Sequence, residues 1–310
     1  MKTVGVVIAT YNGEKFLNEQ LQSILSQTKK PEKIIIVDDC STDGTKNIVD
    51  EIMKKFPELF VFIENERNLG VTKTFEIGIS ACKNDYIALC DQDDIWMPNK
   101  ISELFTLLEK NEDAKLCFHD LALIDEQGNQ LGRNFWEAAP KSLPVTGNTA
   151  RKRLADLEGI VPGCSMFFAS DLKNIILPMP ESRWILHDWW ISAITFFCAN
   201  PIPLRGEPLA FYRLHENQTG GIPTTVKKKK NRTNKINLYN KTKREIKRIL
   251  NSKESRIIKK VETNQRRQYS SNVILRIIDE CEKHGLSEER KKEYNFLRER
   301  IRHNIIKDRI

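Results

Sequence analysis

The sequence of 310 residues predicts an α/β protein with a doubly wound, mostly parallel sheet, followed by a basic helical region. Three observations predict this fold class. Short runs rich in Val and Ile alternate with segments of helical period along the first half. The strand-like runs are apolar throughout, as in sheets that are covered on both faces. Polar residues follow the first, second and fourth of these runs, where ligands bind in such sheets.

The predicted elements alternate from the first residues onward. Strands are predicted at Val4–Ala9, Ile34–Val37, Phe60–Ile63 and Tyr86–Cys90. Helices are predicted from Glu14, after the turn Ser41-Thr42-Asp43-Gly44, and over Val71–Cys82. The turn before the second helix supplies capping side chains. Right-handed crossovers between consecutive strands then make the neighbouring strands parallel.

Charge divides the chain into two predicted domains. The whole chain has 50 Lys and Arg against 42 Asp and Glu, a net charge of +8. Residues 224–310 hold 27 of the basic and 11 of the acidic residues, which leaves 23 basic and 31 acidic residues in 1–223. The basic part opens with four lysines, Lys227–Lys230, and repeats apolar residues at helical spacing. We therefore expect an α/β domain at 1–225 and a basic α-helical region at 226–310.

Composition excludes several classes of protein. The longest apolar segment, Trp189 to Ala199, has 11 residues, whereas a spanning helix needs about 20. No signal-peptide pattern follows Met1, so a cytoplasmic location is expected. The seven cysteines form no Cys-x-x-Cys pair. We expect them to be buried free thiols in a reducing cytosol, which excludes a disulfide scaffold and a Cys-based zinc site.

Acidic and polar residues follow three of the predicted strands. These segments are Ala9-Thr10-Tyr11, Asp38-Asp39 and Asp91-Gln92-Asp93-Asp94. The Asp-x-Asp triplet in the last segment could hold a hard divalent cation, or contact ribose hydroxyls, and such a cation bridges diphosphate oxygens. Taken alone, the triplet more often belongs to a turn and a helix cap. Its place after the fourth strand favours the cation.

Four motifs resemble family 2 glycosyltransferases in order and spacing. They are Val7-Ile8-Ala9-Thr10-Tyr11-Asn12-Gly13, Val37-Asp38-Asp39-Cys40-Ser41-Thr42-Asp43-Gly44-Thr45, Asn68-Leu69-Gly70 and Cys90-Asp91-Gln92-Asp93-Asp94-Ile95-Trp96. The resemblance covers about residues 1–220 and implies the GT-A fold, a nucleotide-sugar donor, and Mn²⁺ or Mg²⁺ as cofactor. His187-Asp188-Trp189-Trp190 and Tyr212–Asn217 resemble the bacterial rhamnosyltransferases of cell-surface polysaccharide synthesis. Relatives with this pattern also transfer other sugars.

The resemblance assigns donor-binding roles by position. Thr10, Tyr11 and Asp39 would contact the pyrimidine base and ribose, because family members use the second acid of the Asp-Asp pair on the base imide. Arg67 and Lys73 flank the Asn68-Leu69-Gly70 turn and would approach the nucleotide or its phosphates. The donor would be a UDP or dTDP sugar.

The resemblance also assigns a metal shell. Asp91 would serve ribose or metal, Asp93 would bind the metal directly, and His215 would complete the shell. A lone histidine is as often structural. Arg213 would pair with the diphosphate or with the acidic residues around it. Cys40 departs from the family, which usually has Gly at this position.

Asp188 is the candidate catalytic base. An inverting transfer needs a carboxylate that takes the proton from the acceptor hydroxyl, as a transition state with oxocarbenium character forms. The alternative is that Asp188 caps a helix beginning at Trp189. His187 would orient Asp188.

The acceptor side is assigned to Gly163, Cys164 and Trp189. Gly159–Ser165 precedes a strand-like run, and its glycines would let backbone approach a sugar closely. The alternative is an ordinary turn before a strand. Trp189 would offer a flat face to an acceptor sugar, although tryptophans beside an apolar helix more often belong to the core.

Other functions fit the sequence less well. A sugar-1-phosphate nucleotidyltransferase would need a glycine-rich phosphate loop where Thr10-Tyr11-Asn12-Gly13 stands. Nucleic-acid binding by the basic region lacks a recognised motif, so no specific nucleic-acid partner is expected. The amphipathic, lysine-rich helices better suit an anionic membrane surface or self-association. Gln265-Arg266-Arg267-Gln268-Tyr269 lacks the Arg-Trp pair of processive synthases, so transfer is expected to be non-processive.

Overall fold

The computed structural model describes residues 2–139, 143–155, 159–180, 185–198, 200–216 and 218, with the single positions 275, 295 and 298. The chain divides into two units, Met1–Ile222 and Pro223–Ile310, and every element below belongs to the first. Apart from those three positions, the basic region expected at 226–310 lies outside the described residues. The two-domain division therefore stays a prediction.

Strands and helices alternate along the described chain. The strands are β1 (Val4–Thr10), β2 (Lys33–Asp38), β3 (Phe60–Glu64), β4 (Tyr86–Asp91), β5 (Ile95–Trp96), β6 (Leu116–His119), β7 (Ala122–Ile124), β8 (Gln130–Asn134), β9 (Met166–Ala169), β10 (Ile202–Leu204) and β11 (Ala210–Arg213). The helices are α1 (Leu17–Leu25), α2 (Thr45–Lys55), α3 (Val71–Ala81), α4 (Lys100–Glu109), α5 (Phe135–Ala138), α6 (Gly147–Ala155), α7 (Lys173–Ile176) and α8 (His187–Cys198). Short 3-10 turns at Gly163–Ser165 and Ser170–Leu172 flank β9.

A seven-stranded sheet forms the centre of the fold, in the order β10-β6-β9-β4-β1-β2-β3. β1 is parallel to both β2 and β4, and β3 continues in the same direction. β9 is antiparallel to its neighbours β4 and β6. The sheet is therefore mixed but mostly parallel. Strand order reverses between β1 and β4, and a crevice opens at such a reversal beyond the strands' carboxyl ends.

Hydrophobic burial on both faces of this sheet explains its continuous apolar strands. In β1 and β4 almost every side chain is buried, and α1 buries Leu17, Leu21 and Ile24 against the same core. α3 packs on the opposite face at very short range. A Cβ at Gly78 would lie 2.4 Å from Val7 Cγ1, so only glycine fits there without displacement. Helices on both faces thus leave the strand ends as the open edge.

A second, four-stranded sheet runs in the order β5-β11-β7-β8. β11 is antiparallel to β5 and parallel to β7. Since β5 begins four residues after Asp91, this pairing brings the chain after Arg213 to the end of β4. In the ranges that the structure describes, no helix combines the length and apolar character that crossing a bilayer requires.

Candidate active site

The carboxyl ends of β1, β2 and β4 meet at one edge of the large sheet. Register pairs Ala9 with Asp91 on one side, and Thr10 with Asp38 on the other. The Thr10 hydroxyl donates a hydrogen bond of 2.8 Å to Asp38, which also accepts bonds from the Ser41 hydroxyl and amide. Thr10 and Asp38 are both buried. Two sequence-predicted segments are therefore joined by direct contacts.

Asp39 fixes the loop that precedes α3. Its Oδ1 accepts from the Asn65 side chain at 2.9 Å and from the Leu69 amide at 2.7 Å, and its Oδ2 accepts from the Gly70 amide at 2.8 Å. Gly70 has a φ of +84°, a conformation that favours glycine. A carboxylate has about four acceptor positions. Asp39 thus positions the Asn68-Leu69-Gly70 turn and keeps capacity for one more donor.

The loop after β1 is held against its neighbours by side chains. Gln92 accepts from the Tyr11 amide at 2.9 Å and donates to the Tyr11 carbonyl at 3.0 Å. Asn12 accepts from the Thr42 amide at 2.9 Å. The Tyr11 side chain itself is 47% exposed. The loop is therefore held by side-chain hydrogen bonds while its aromatic ring is half exposed.

Arg67 and Lys73 lie on either side of the turn that Asp39 holds. Arg67 is exposed. The Lys73 ammonium forms an ion pair of 2.5 Å with Glu76, one turn along α3. Any approach of Lys73 to a phosphate would have to compete with Glu76.

Four carboxylates, Asp91, Asp93, Asp94 and Asp188, form a group that we call the acidic rim. Burial, followed by the charges of Asp93 and Asp188, raises the pKa of Asp91 to about 7. Burial, then Asp93 and Asp91, raises the pKa of Asp94 well above its ordinary value. Burial likewise raises the pKa of Asp188 to about 6. Mutual repulsion at this density favours a bound cation or proton.

The donor atoms of this region fit a hard or borderline divalent cation. His215 Nε2 lies 2.7 Å from Asp93 Oδ2, and its ring lies 5.2 Å from that of Phe16. Ligand atoms of Asp91, Asp94 and Cys164 lie within 4.8 Å of one another. Burial raises the pKa of the Cys164 thiol well above its ordinary value, so without a bound metal this sulfur is a neutral thiol. Carboxylates with one imidazole therefore make an Asp-rich candidate site for a divalent metal.

Two residues to which the sequence analysis gave no site role contribute to this site. Asp94 is 1% exposed and accepts from the Arg213 amide at 3.2 Å. Lys100 is fully buried; its ammonium donates to the Cys164 carbonyl at 2.7 Å and lies 3.8 Å from the Trp96 ring centroid. The position of Asp94 next to Asp93 was a sequence signal for a role in the site. No sequence signal pointed to Lys100, because a lysine is almost never fully buried.

The Arg213 guanidinium is held by contacts within the protein. Its guanidinium donates to the carbonyls of Asp93 and Glu126 and forms an ion pair of 2.6 Å with Glu19. The side chain is 2% exposed. Of the two roles considered from the sequence, pairing with the acidic surroundings is the one whose contacts are present.

Asp188 lies in the first turn of α8. The helix begins at His187, one residue before Asp188 and two before the expected start at Trp189. Asp188 therefore does not occupy the capping position ahead of the helix, although its Oδ1 accepts from the Trp189 amide at 2.7 Å. The charge of Asp188 helps to raise the pKa of Asp91, so these two carboxylates lie within electrostatic reach of each other.

The segment assigned to the acceptor is buried rather than open. Gly163 and Cys164 belong to the 3-10 turn before β9, and both are buried. A Cβ at Gly163 would lie 2.4 Å from His187 Nε2, so this glycine permits close packing. Trp189 is 5% exposed, which matches the core alternative better than a stacking face.

The fold and the site together define a class of protein: an α/β enzyme whose carboxylates gather at the switch point of a mostly parallel sheet. The chain belongs to a family of that class, glycosyl transferase family 2, whose model matches residues 5–176. The GT-A fold expected from the sequence is confirmed, and the family is the one that the sequence motifs resemble.

Known relatives extend the comparison. An uncharacterized glycosyltransferase of Methanocaldococcus jannaschii is 39% identical over 130 residues, 41% of this chain and 44% of that protein. The dTDP-rhamnosyl transferase RfbG of Shigella flexneri is 27% identical over 232 residues, 72% of this chain and 76% of that protein. The match to uncharacterized mycobacterial proteins spans 37% of their length.

Solved structures share the fold. TarS 1-349 of S. aureus in complex with UDP-GlcNAc gives a TM-score of 0.55 at 20% identity, over 70% of this chain and 60% of that chain. The complex of the same protein with UDP gives 0.54 at 21% identity, over 68% and 60%.

Proposed function

We propose that this chain is an inverting, metal-dependent, non-processive glycosyltransferase that moves a sugar from a nucleoside-diphosphate sugar to a glycan hydroxyl. The observation that carries the proposal is Asp188: a carboxyl whose pKa burial raises to about 6, within electrostatic reach of Asp91 at the end of β4. A base with a pKa near the working pH is mostly ionised and still accepts a proton well.

Asp188 would act on the acceptor. Its carboxylate takes the proton from the acceptor hydroxyl while that oxygen attacks the anomeric carbon, and the bond from this carbon to the diphosphate oxygen breaks. Attack from the face opposite the leaving group inverts the anomeric configuration. Asp188 ends the step as the neutral acid. Its burial favours that product, because burial disfavours the carboxylate.

Asp93, His215 and Asp91 would hold Mn²⁺ or Mg²⁺. When bound, such an ion offsets the charge that develops on the departing nucleoside diphosphate. The protein's own contribution is to hold these ligands in place, and Arg213 does so by donating to the Asp93 carbonyl.

Thr10, Tyr11 and Asp39 would bind the nucleoside. The spare acceptor capacity of Asp39 suits the imide N–H of uracil or thymine, and the exposed Tyr11 ring suits the base or ribose. The likeness to RfbG favours dTDP-rhamnose, and the likeness to TarS makes a UDP-hexose or UDP-N-acetylhexosamine the alternative. Arg67 is free to move toward the phosphates, whereas Lys73 would first leave Glu76.

The acceptor would be a cell-surface polysaccharide or a lipid-linked oligosaccharide. Transfer would take place at the cytoplasmic face of the membrane, with residues 226–310 drawn to anionic lipid or associating with a second copy. Gly163 and Cys164 would shape the acceptor side from beneath, since both are buried.

Replacing Asp188→Asn tests the proposal directly. In the presence of Mn²⁺, we expect transfer from dTDP-rhamnose or UDP-GlcNAc to fall by about 10²–10⁴-fold, the usual contribution of a general base. Thermal stabilisation by the same nucleotide sugars should persist, because Asp188 does not bind the nucleoside. Asp171→Asn, which alters an exposed carboxylate, is the control. Unchanged transfer by Asp188→Asn would refute the base assignment.

The membrane proposal needs a separate experiment on the full chain. We expect Lys227–Lys230→Gln to weaken cosedimentation with vesicles containing 30% anionic lipid by about 10-fold or more, since each lysine near such a surface contributes about 1 kcal/mol. The matched control neutralises four exposed lysines of the described domain (Lys54, Lys55, Lys83 and Lys110). Equal losses in both variants would indicate a general charge effect and reject a specific role for the basic region.

A further inference from the structure

The Lys100 side chain, at the start of α4, is completely buried. Its ammonium donates to the Cys164 carbonyl at 2.7 Å and lies 3.8 Å from the Trp96 ring centroid. Burial lowers the pKa of this ammonium to about 8, so it stays mostly charged near pH 7. Taking an ammonium ion out of water costs several kcal/mol, and an apolar side chain of the same length would fill this space without that cost. The buried charge therefore points to a function for its hydrogen bond.

The bond from Lys100 holds a short turn beside the acidic rim. Gly163–Ser165 forms the 3-10 turn that leads into β9, and Cys164 is its middle residue. A hydrogen bond from an ionised donor is short and strong, so Lys100 fixes where this turn lies. Ligand atoms of Cys164, Asp91 and Asp94 lie within 4.8 Å of one another, so the turn borders the rim.

The same turn contacts the start of α8. A Cβ at Gly163 would lie 2.4 Å from His187 Nε2, so the glycine backbone packs directly against this imidazole. The ring also packs on Phe75 of α3, with ring centroids 4.0 Å apart. His187 begins α8, and the next residue is Asp188, the proposed base. Contacts therefore run continuously from Lys100, through the turn, to the residue before Asp188.

We infer that Lys100 is a positioning residue for the transfer reaction, and that it sets the place of Asp188 relative to the acidic rim through the Gly163–Ser165 turn. The inference rests on the proposed function, because that function makes Asp188 the base. Lys100 exchanges no proton with the sugars and binds neither of them. Its ammonium holds the Cys164 carbonyl, the turn packs on His187, and His187 fixes the start of the helix that carries Asp188. A displacement of about 1 Å can cost a reacting group about 10²-fold in rate.

Lys100→Met tests this role, because methionine keeps an unbranched apolar side chain in the same space and removes the hydrogen bond. At saturating Mn²⁺ and nucleotide sugar, we expect kcat to fall by about 10–100-fold. The affinity for dTDP or UDP, measured by calorimetry, should be unchanged, because the contacts of Asp39 with the donor turn do not involve Lys100. Should Lys100→Met fail to fold, Lys100→Gln takes its place with the same expectation, since its shorter side chain ends before the position of the ammonium.

The matched control is Lys173→Met. Lys173 is half-buried, and its ammonium also donates to a backbone carbonyl, that of Cys82 just beyond the end of α3. This variant should retain the wild-type kcat. An equal loss of kcat in Lys173→Met, or weaker binding of dTDP and UDP in Lys100→Met, would indicate a general loss of structure and reject the positioning role.

Gly163→Ala perturbs the same chain of contacts at its other end. Its added Cβ would lie 2.4 Å from His187 Nε2, so this variant should also lower kcat. Once Lys100→Met has released the turn, the turn can move away from that Cβ. The double variant should therefore lose less than the product of the two single losses, as residues that share one set of contacts do. Losses that multiply would show that Lys100 and Gly163 act on separate features, which would contradict the inference.

The remaining contrary outcomes have different meanings. A wild-type kcat in Lys100→Met would reject the positioning role while the proposed function stood. Altered Mn²⁺ affinity in Lys100→Met, with kcat retained at saturating Mn²⁺, would mean that the ammonium acts only as a countercharge to the metal site. Wild-type protein that binds neither dTDP nor UDP, and transfers no sugar from dTDP-rhamnose or UDP-GlcNAc, would overturn the proposed function, and the inference with it.

Discussion

Cys40 adopts a backbone conformation that its side chain opposes. It lies between Asp39 and Ser41, in the loop after β2, and has a φ of +65°. Left-handed backbone costs a residue with a Cβ roughly 1–2 kcal/mol. Asn12, the other non-glycine residue with positive φ in the described chain, has a side chain that tolerates it. Glycine in place of Cys40 would adopt the same backbone conformation without strain.

We expect Cys40→Gly to raise the free energy of unfolding by about 0.5–1 kcal/mol. Relief of left-handed strain exceeds the entropy that glycine adds to the unfolded chain, roughly 0.5–1 kcal/mol. Urea unfolding measures the change. Cys40→Ala is the matched control, because it removes the thiol and keeps the Cβ. An equal gain from Cys40→Ala would show that the thiol, and not the backbone, limits stability.

At the scale of elements, α3 links the core to the donor side. Its Gly78 lies against β1 and β2, where a Cβ would lie 2.4 Å from Val7 Cγ1 and 3.1 Å from Val37 Cγ2. The same helix carries Thr74 and Phe75, which contact the donor turn and His187. The depth at which α3 packs therefore sets the position of both.

We expect Gly78→Ala to destabilise the protein by up to about 2 kcal/mol. Alanine favours helix over glycine by about 1 kcal/mol, but overpacking against Val7 and Val37 costs more. Ser80→Ala, at an exposed position of the same helix, controls for helix propensity and should be neutral or slightly stabilising. Chemical unfolding compares the two variants. A stabilised Gly78→Ala would mean that α3 can shift outward freely.

The elements differ in how much of them the sequence can predict. The first four strands and α1–α3 follow from local apolar periodicity, and their predicted bounds lie within three residues of the observed ones. The second sheet was not predicted, because β5 has two residues and is defined only by pairing with Phe211 and Ala210. Periodicity cannot report a partner so distant in sequence.

The candidate site likewise contains some residues whose position the sequence predicts and others whose position it does not. Asp39, Asp91 and Asp93 could be placed at one edge because they follow strands whose direction the pattern predicts. The burial of Lys100 near the acidic rim could not be predicted, since it depends on a contact with Cys164, which is 64 residues away in the sequence. The sequence placed the start of α8 at Trp189, two residues after the observed start at His187. Asp is a residue type that favours the capping position, and the sequence alone does not show that Asp188 lies one residue inside the helix.

At the scale of the whole molecule, ionisation of the acidic rim opposes folding when no cation is bound. The pKa values of Asp91 and Asp188 are raised to about 7 and about 6, above the ordinary value near 3.8. A raised carboxyl pKa means that the folded state binds protons more readily than the unfolded state, so stability falls as pH rises toward the folded pKa. Buried His119 and His187, with lowered pKa values, have the opposite effect as pH rises through about 6.5.

Comparing Mn²⁺ with EDTA at each pH cancels the effect of His119 and His187 and isolates the proposed metal site, His215 included. Because metal binding requires ionised carboxylates, we expect the increase in Tm produced by 1 mM Mn²⁺ to be larger at pH 8 than at pH 6, by roughly 2–4 °C, or about 1 kcal/mol. Asp93→Asn should abolish the increase, whereas Asp113→Asn, at an exposed position, should retain it. An equal increase at both pH values would mean that Mn²⁺ binds away from the rim, and loss of the increase in Asp113→Asn would locate that binding at the general acidic surface of the domain.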